Sequence, residues 1–355
     1  MADVLTPITL GDIELPNRII MAPLTRARAE AGHVPGDIMA EYYAQRASAG
    51  LLIAEATMAM AGQSAFMNEP GIYSAEQIAG WKKVTDAVHA RGGRIVLQLW
   101  HGGRACHPDL NDGAQPVAPS AIAIDDEVHT PQGKKPYTVP RALDDAEIPD
   151  IIAGFRQAAE NAKQAGFDGV EVHAANGYLL DAFLRDGSNQ RSGRYGGSLE
   201  NRARLLFEVI EAVTEVWGST RVGVRTSPLN SFNSMKDSDP VGMTEYLAKQ
   251  FNRFNLAYWH LMRADFFGVQ TGDVVTPARE TYNGNLITNM GYSRDEADSS
   301  IASQQTDAVA FGVPFIANPD LVERFQQNAE LNQAIPDTFY TPGPVGYTDY
   351  PPLAG

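Results

Sequence analysis

Three hydrogen-bonding side chains follow one short apolar run, residues 169–172, which is typical of a buried strand. They are His173, Asn176 and Tyr178. An imidazole and an amide can donate to an oxygen that gains negative charge during a reaction, and a nearby phenol can deliver a proton. Any one of these residues alone is more often an ordinary structural residue, so the hypothesis of an active site rests on their occurrence together.

The elements that must position these side chains alternate between strands and helices. Apolar runs typical of buried strands occupy residues 17–25, 50–57, 94–101, 169–175, 221–228, 256–262, 284–291 and 307–315. Between and after them, helices are predicted over residues 35–49, 74–91, 147–166, 198–217, 241–255, 293–304 and 318–327. This alternation predicts an α/β fold, a (β/α)₈ TIM barrel, rather than a doubly wound sheet, and no G-x-G-x-x-G follows a strand.

Segments outside this alternation complete the predicted domain, a single barrel over residues 1–355. Residues 7–16 alternate apolar and polar types around Gly11-Asp12, which predicts a β-hairpin that plugs the bottom of the barrel. A long top loop, about residues 102–146, is rich in Pro, Gly and Asp, and its strand-like pieces are interpreted as a lid. A second long loop, residues 263–276, follows no pattern that we recognise.

Charge and composition narrow the class of partner. The 355 residues include 28 Lys and Arg against 43 Asp and Glu, a formal net charge of −15. Such an acidic chain disfavours nucleic acid and anionic membrane surfaces as partners. Neither a signal peptide nor an apolar run of membrane-spanning length is present, so a cytoplasmic protein is expected. A monomer or a homodimer is expected.

Metal chemistry finds little support in the sequence. The single cysteine, Cys106, excludes an intrachain disulfide and an all-cysteine zinc or iron–sulfur site. Cys106 with His101 and His107 permits a metal hypothesis, which is disfavoured because catalytic zinc usually needs three protein ligands in defined geometry. Glu55 and Glu171 lie inside predicted strands and are interpreted as helix-facing or as members of a salt bridge at the bottom of the barrel. No metal is therefore expected.

Active sites of such barrels lie at the C-terminal ends of the strands. The residues predicted at or near these ends, besides the first three, are Thr25, Ala56, Gln98, Trp100, Arg225, His260, Asn289 and Met290, with Gly312 and Val313 placed inside the eighth strand. Gln98 can present a donor and an acceptor to an imide edge, and Arg225 can stabilise negative charge on a reduced ring. Backbone N–H groups after strands seven and eight suit a phosphate. These groups indicate a phosphorylated organic cofactor, for which flavin mononucleotide (FMN) is the best match.

Seven stretches together resemble the Old Yellow Enzyme family of flavin-dependent ene-reductases. They are NRIIMAPLTRARA (17–29), YYAQRASAGLLIAEAT (42–57), GGRIVLQLWHGGR (92–104), FDGVEVHAANGYLLDAFLRDGSNQR (167–191), YGGSLENRARL (195–205), DAVAFGVPFIANPDL (307–321) and GYTDYP (346–351). The resemblance implies FMN that is reduced by NADPH or NADH and oxidised by an activated alkene, with a carbonyl or nitro group next to the double bond.

The resemblance also implies residue roles. The flavin would be held by Thr25 near its C4 oxygen and N5, by Gln98 at the pyrimidine edge and by Arg225 near N1, with Pro23, Leu24 and Ala56 packing the ring and Asn289, Met290, Gly291, Gly312 and Val313 near the phosphate. His173 and Asn176 would bind the substrate oxygen, and Tyr178 would protonate the α-carbon. Phe66, Trp100 and Tyr340 would form the walls of the substrate pocket.

Two positions depart from the family pattern. Val313 stands where an Arg commonly pairs with the phosphate, and Met290 stands where a Gly is common. Losing one charge-assisted hydrogen bond costs roughly 1.5–3 kcal/mol, about one to two decades in affinity, so weak FMN retention is expected.

Two alternatives to the ene-reductase hypothesis remain. One is a flavoprotein that has lost turnover and serves as a binder or sensor, which Val313 and Met290 mildly favour. The other is a metal-dependent barrel hydrolase, which the lack of strand-end carboxylates disfavours.

Overall fold

Eight parallel strands close into a barrel in the computed structural model of the chain, which describes residues 2–353. The strands are β1 (Ile19–Met21), β2 (Leu51–Met58), β3 (Ile95–Trp100), β4 (Gly169–Ala174), β5 (Val222–Thr226), β6 (Tyr258–Met262), β7 (Leu286–Asn289) and β8 (Ala308–Phe311). Each pairs with its neighbours in chain order, and β8 pairs with β1. The predicted (β/α)₈ barrel is confirmed.

The predicted N-terminal hairpin is present. Its strands, Ile8–Leu10 and Ile13–Leu15, pair antiparallel. Its buried side chains form one apolar cluster with inward-facing residues of the barrel, among them Ile20, Val96 and Tyr258. Because these residues lie near the starts of their strands, the hairpin closes the bottom of the barrel and leaves the carboxyl ends for a site.

Ten helices cover the barrel or extend its loops in the described part of the chain. They are α1 (Asp37–Gln45), α2 (Ala75–His89), α3 (Ile148–Gln164), α4 (Leu179–Leu184), α5 (Leu199–Trp217), α6 (Pro240–Phe251), α7 (Val275–Thr281), α8 (Arg294–Ala302), α9 (Val313–Ala317) and α10 (Leu321–Gln327). The capping signal before α2 is confirmed, since Ser74 and Gln77 form a capping box. None of the helices described between residues 2 and 353 is long and apolar enough to cross a membrane.

The region after β8 differs from the prediction. Gly312 and Val313 do not lie inside the eighth strand, because β8 ends at Phe311 and Val313 begins α9 with Gly312 as its N-cap. Pro314 lies in the first turn of α9, where its missing N–H costs nothing. The predicted helix 318–327 begins only at Leu321, because a residue before proline, here Asn318, disfavours the helical conformation. Helices α4, α7 and α9 were not predicted.

The long loop after β3 is ordered by short strand pairs, as its strand-like pieces indicated. Residues Glu127–Thr130 pair antiparallel with Gly133–Pro136, and Val117–Ala118 pair with Arg141–Ala142. Tyr137 directly follows the strand Gly133–Pro136 and packs against the cluster that contains Trp100 and Tyr178. The loop therefore covers one side of the barrel mouth.

Two buried arginines fasten the C-terminal segment across the barrel mouth. Arg26 donates to the carbonyl oxygens of Phe339 at 3.1 Å and Gly346 at 2.7 Å. Arg28 donates to Thr338 at 2.8 Å and to Phe339 at 2.7 Å. This anchoring brings Tyr340, remote in sequence, to the ring of Phe66, with centroids 6.0 Å apart.

Candidate active site

The side chains at the barrel mouth come from the inward-facing positions of neighbouring strands. Val172, Val224 and Leu261 belong to the cluster under the outer helices. Alternation along a strand therefore turns His173, Arg225 and His260 inward. The strand register places these three residues side by side on β4, β5 and β6. The predicted convergence of strand-end groups is thus present.

His173 is oriented as a hydrogen-bond donor toward the barrel mouth. Its Nδ1 accepts from the backbone N–H of Ala175 at 3.2 Å, which puts the proton of the neutral ring on Nε2. Burial, together with the nearby Arg225 guanidinium and the His260 imidazole, lowers the pKa of His173 well below its ordinary value of 6.5. The imidazole is therefore a neutral donor across the physiological pH range.

Asn176 and Gly177 form the turn that carries the chain from β4 to Tyr178. Their φ angles are 57° and 76°, in the left-handed region that asparagine and glycine tolerate best. A Cβ at Gly177 would meet the Cβ of Asn233 at 2.7 Å, so the position also lacks room for a side chain. The Gly177 N–H donates to the Asp181 carboxylate at 2.8 Å, which fixes the turn against α4.

The polar groups of Asn176 are held by the loop that follows β5. Its backbone N–H donates to the Ser227 hydroxyl at 2.7 Å, and its carbonyl accepts from Asn233 Nδ2 at 2.8 Å. Its side-chain Oδ1 accepts from Asn230 Nδ2 at 2.8 Å. Sequence reasoning missed Ser227, Asn230 and Asn233, although the polar run SPLNSFNS directly after a barrel strand was a usable signal.

Tyr178 stands between the donors and the apolar wall. Its ring contacts Trp100 and His173 edge to face, with centroids 5.0 and 5.2 Å apart. Burial raises the pKa of Tyr178 well above its ordinary value of 10.0. The phenol therefore keeps its proton at physiological pH, as a general acid must.

The three predicted pocket residues lie together. Phe66 contacts both Trp100 and Tyr340, with ring centroids 6.4 and 6.0 Å apart. The backbone N–H groups of Ala65 and Phe66 donate to the buried carboxylate of Glu69 at 3.0 and 3.4 Å, which orders the loop that carries Phe66. Tyr137 from the lid belongs to the same cluster and was not predicted.

Glu171 corrects one prediction. It faces the barrel interior and is neither helix-facing nor at the bottom, because its Oε1 accepts from Gln98 Nε2 at 2.7 Å and its Oε2 lies 3.0 Å from His260 Nδ1. This contact leaves the Gln98 oxygen and one amide hydrogen for another partner. Glu55 is helix-facing as predicted, since its Oε2 accepts from the Tyr43 hydroxyl on α1 at 3.1 Å.

The residues predicted to hold a flavin ring surround the same mouth. Pro23 and Ala56 are buried, and Thr25 and Leu24 are half-buried in the segment after β1. The Nε atom of Arg225 is buried and finds no acceptor among residues 2–353. Together with the free oxygen of Gln98, this unpartnered cationic donor fits the edge of a ring that becomes negatively charged on reduction.

The ends of β7 and β8 offer mainly backbone groups as partners for a cofactor phosphate. Gly291 and Gly312 leave open space beside the backbone: apart from the adjacent residues, a Cβ added at Gly291 would meet no atom within 4 Å, and one at Gly312 would meet only Leu24, at 3.5 Å. Val313 is 51% exposed and supplies no charge. Arg263 donates to the Met290 carbonyl at 2.8 Å, but its guanidinium is already paired with Glu296. The residues present fit FMN, whose phosphate the ends of β7 and β8 would hold mainly through backbone groups.

The Cys106 region shows no metal-binding arrangement. Among residues 2–353, no group of three or more His, Cys, Asp and Glu side chains could hold a metal ion. His107 Nδ1 accepts from the Asp109 N–H at 3.1 Å, and burial raises the pKa of the Cys106 thiol. Both groups therefore serve the local structure.

Comparison with known proteins decides the family. A family model described as NADH:flavin oxidoreductase / NADH oxidase matches residues 3–332. The chain belongs to this family. It is a flavin-dependent oxidoreductase, the resemblance to Old Yellow Enzyme is confirmed, and the metal-dependent hydrolase alternative is wrong.

Individual relatives are similar over nearly their whole lengths. A probable flavin mononucleotide-dependent alkene reductase of Leishmania infantum is 48% identical over 98% of this chain and 96% of its own. Morphinone reductase superimposes with a TM-score of 0.96 at 47% identity, covering 99% of this chain and 96% of that one. The old yellow enzyme from Trypanosoma cruzi gives a TM-score of 0.96 at 47% identity, covering 99% of each chain.

Proposed function

We propose that this FMN-dependent enzyme reduces the carbon–carbon double bond of α,β-unsaturated carbonyl or nitro compounds at the expense of NADPH or NADH. The observation that carries the proposal is the paired orientation of His173 and Asn176 beside a protonated Tyr178. Bound FMN would supply hydride transfer between the nicotinamide and the β-carbon of the alkene. The chain's own side chains do the rest.

Two neutral donors bind and polarise the substrate oxygen. His173 presents Nε2–H, because Nδ1 is occupied by the Ala175 N–H. Asn176 presents its amide hydrogens, because Oδ1 is occupied by Asn230. Donors preorganised where negative charge develops stabilise an enolate or nitronate oxygen most in the transition state. This draws electron density from the double bond and prepares the β-carbon for hydride.

Tyr178 delivers the proton. Its phenol lies beside the His173 ring and stays protonated because burial raises its pKa. Transfer of that proton to the α-carbon completes the saturated product. Phe66, Trp100 and Tyr340 form the apolar wall that aligns the alkene and excludes water.

The remaining predicted residues hold the cofactor. Thr25, Gln98 and Arg225 would bind the polar edges of the ring, with Pro23, Leu24 and Ala56 packing against it. Asn289, Met290, Gly291, Gly312 and Val313 would lie at the ribityl phosphate, largely through backbone groups. A structure of morphinone reductase with tetrahydroNAD, at 47% identity and a TM-score of 0.95, supports a nicotinamide as the hydride source.

The deciding experiment is an anaerobic absorption spectrum of the purified protein, recorded before NADPH, after NADPH and after cyclohexenone. A flavin band that bleaches with NADPH and returns with cyclohexenone is expected. A protein that needs added FMN before it shows the band still supports the proposal and indicates a weak phosphate site. A flavin band that bleaches but never returns with an enone or nitroalkene would leave the binder or sensor alternative.

A further inference from the structure

We propose that Asn230 is a positioning residue for substrate binding, because its side-chain amide decides which end of the Asn176 amide faces the substrate. The inference rests on the proposed function, since it takes Asn176 to bind the substrate oxygen. Asn230 is fully buried in the loop after β5.

A side-chain amide can turn by half a rotation without changing its shape. The turn exchanges a pure acceptor for a double donor, so packing alone does not select the orientation of Asn176. An Asn176 that presented Oδ1 to a carbonyl or nitro oxygen would repel the substrate. Some other group must therefore select the donor.

Backbone donors make that selection through Asn230. Asn230 Oδ1 accepts from the Phe266 N–H at 3.2 Å and more weakly from the Phe232 N–H at 3.5 Å. A backbone N–H cannot accept, so the oxygen of Asn230 must face these two groups and Nδ2 must face Asn176. Asn176 Oδ1 takes that hydrogen bond at 2.8 Å, which turns its own Nδ2 toward the barrel mouth.

The support behind Asn230 is itself fixed. Arg185, buried after α4, donates to the carbonyl oxygens of Ser227 at 2.8 Å and Asn230 at 3.1 Å. Asp265 joins the loops after β5 and β6, because its carboxylate accepts from the Ser231 N–H at 2.8 Å and from the Val269 N–H at 2.8 Å. The orientation of the substrate donor thus depends on Asp265 and Phe266, which belong to the loop 263–276 without a recognised sequence pattern.

Asn230→Asp tests the inference with little change in shape. The new carboxylate accepts from the Phe266 N–H as before but cannot donate to Asn176. Asn176 then turns its Nδ2 toward the carboxylate and its oxygen toward the substrate. We expect kcat/KM for cyclohexenone to fall roughly 10- to 100-fold in the FMN-saturated enzyme. The main cause should be a higher apparent dissociation constant of cyclohexenone from the reduced enzyme.

A double-mutant cycle separates orientation from added charge. In an Asn176→Ala background, Asn230→Asp should lower kcat/KM less than about threefold, because no amide remains to be turned. An equal loss in both backgrounds would mean that the carboxylate acts through its charge alone, and the inference would fall. It would also fall if Asn230→Asp left kcat/KM unchanged in the otherwise native enzyme.

Asn230→Ala keeps the test decisive if the buried carboxylate prevents folding. It frees Asn176 to rotate and should cost roughly three- to tenfold in kcat/KM, again only while Asn176 is present. Equal costs with and without Asn176 would overturn the inference. The proposed function fails separately, in a native enzyme that cyclohexenone does not re-oxidise.

Discussion

The ends of β4 and β5 differ sharply from the ends of β7 and β8. At the first pair, His173 and Asn176 are held by side-chain and backbone partners at 2.7–3.2 Å. At the second pair, Met290 adopts a φ of 98° and Val313 is exposed, at the position where the family resemblance predicts a cation. The proposed substrate side is a network of side-chain hydrogen bonds, whereas the proposed phosphate side offers mainly backbone groups.

This difference predicts which parts of the candidate site tolerate substitution. A preorganised donor pair loses its function when one partner turns, because the donors must point where charge develops. A phosphate can accept hydrogen bonds from the backbone N–H groups of any residue type. Its binding therefore weakens only gradually when side chains at that end of the site are substituted. We therefore expect a substitution to cost more at the ends of β4 and β5 than at the ends of β7 and β8.

Tyr178→Phe should break the substrate side most severely. It removes the proton donor while keeping the ring against Trp100 and His173. We expect re-oxidation of the reduced enzyme by cyclohexenone to slow by roughly 10²–10⁴, the usual worth of a general acid. Stopped-flow recovery of the flavin band measures it, with Tyr246→Phe on the outer helix α6 as the matched control. An unchanged rate would assign the proton to another donor.

Val313→Arg should repair the phosphate side. Restoring one charge-assisted hydrogen bond is expected to lower the FMN dissociation constant roughly 10- to 100-fold, about 1.5–3 kcal/mol. Fluorescence quenching of FMN on titration with apoprotein measures it, and Val313→Leu controls for size. If the native chain already binds FMN as tightly as the Arg variant, the backbone groups and Arg263 suffice without a cation at this position.

Met290→Gly should relieve the strain at the end of β7. A non-glycine residue at a φ of 98° costs on the order of 1–3 kcal/mol, partly offset by the greater freedom of glycine in the unfolded chain. We expect a net gain of about 1 kcal/mol in the free energy of unfolding of the FMN-free protein, measured with urea. Met67→Gly, at a residue without a positive φ, should give no gain, and equal effects at both positions would contradict the strain argument.

The barrel fold could be predicted from the sequence because its strands are apolar runs at regular intervals. Sequence reasoning also singled out His173, Asn176 and Tyr178, because they follow one strand closely, and their roles stay predictions. It placed Gly312 and Val313 inside a strand, since the apolar run 307–315 continues through them and only Pro314 marks the helix start.

The partners of these residues were harder to predict from the chain. Asn230 contacts Asn176 across 54 residues, and Glu171 contacts Gln98 across 73. These contacts follow from the strand register and from the direction of each hydrogen bond. Neither can be predicted from the composition of a short stretch of sequence. The inward direction of Glu171 in particular depends on its partners Gln98 and His260, because a carboxylate is rarely buried unless it is paired.

The smallest expected effect concerns pH and tests whether the substrate side is neutral throughout. Burial, with Arg225 and His260 nearby, lowers the pKa of His173 well below 6.5, and burial raises the pKa of Tyr178 well above 10.0. His173 therefore gains no proton as the pH falls to about 6, and Tyr178 loses none as it rises to about 9. Between these limits kcat/KM for cyclohexenone should change less than about threefold.

Asn176→His provides the contrast to that flat profile. An imidazole has an ordinary pKa of about 6.5, and its charged form is the stronger donor, so apparent substrate affinity should rise as the pH falls through this region. The native profile, measured from re-oxidation rates of pre-reduced enzyme, should lack that inflection because an amide does not titrate. An inflection near pH 6.5 in the native enzyme would mean that His173 becomes charged in spite of its burial, and the substrate donors would then not be a neutral pair.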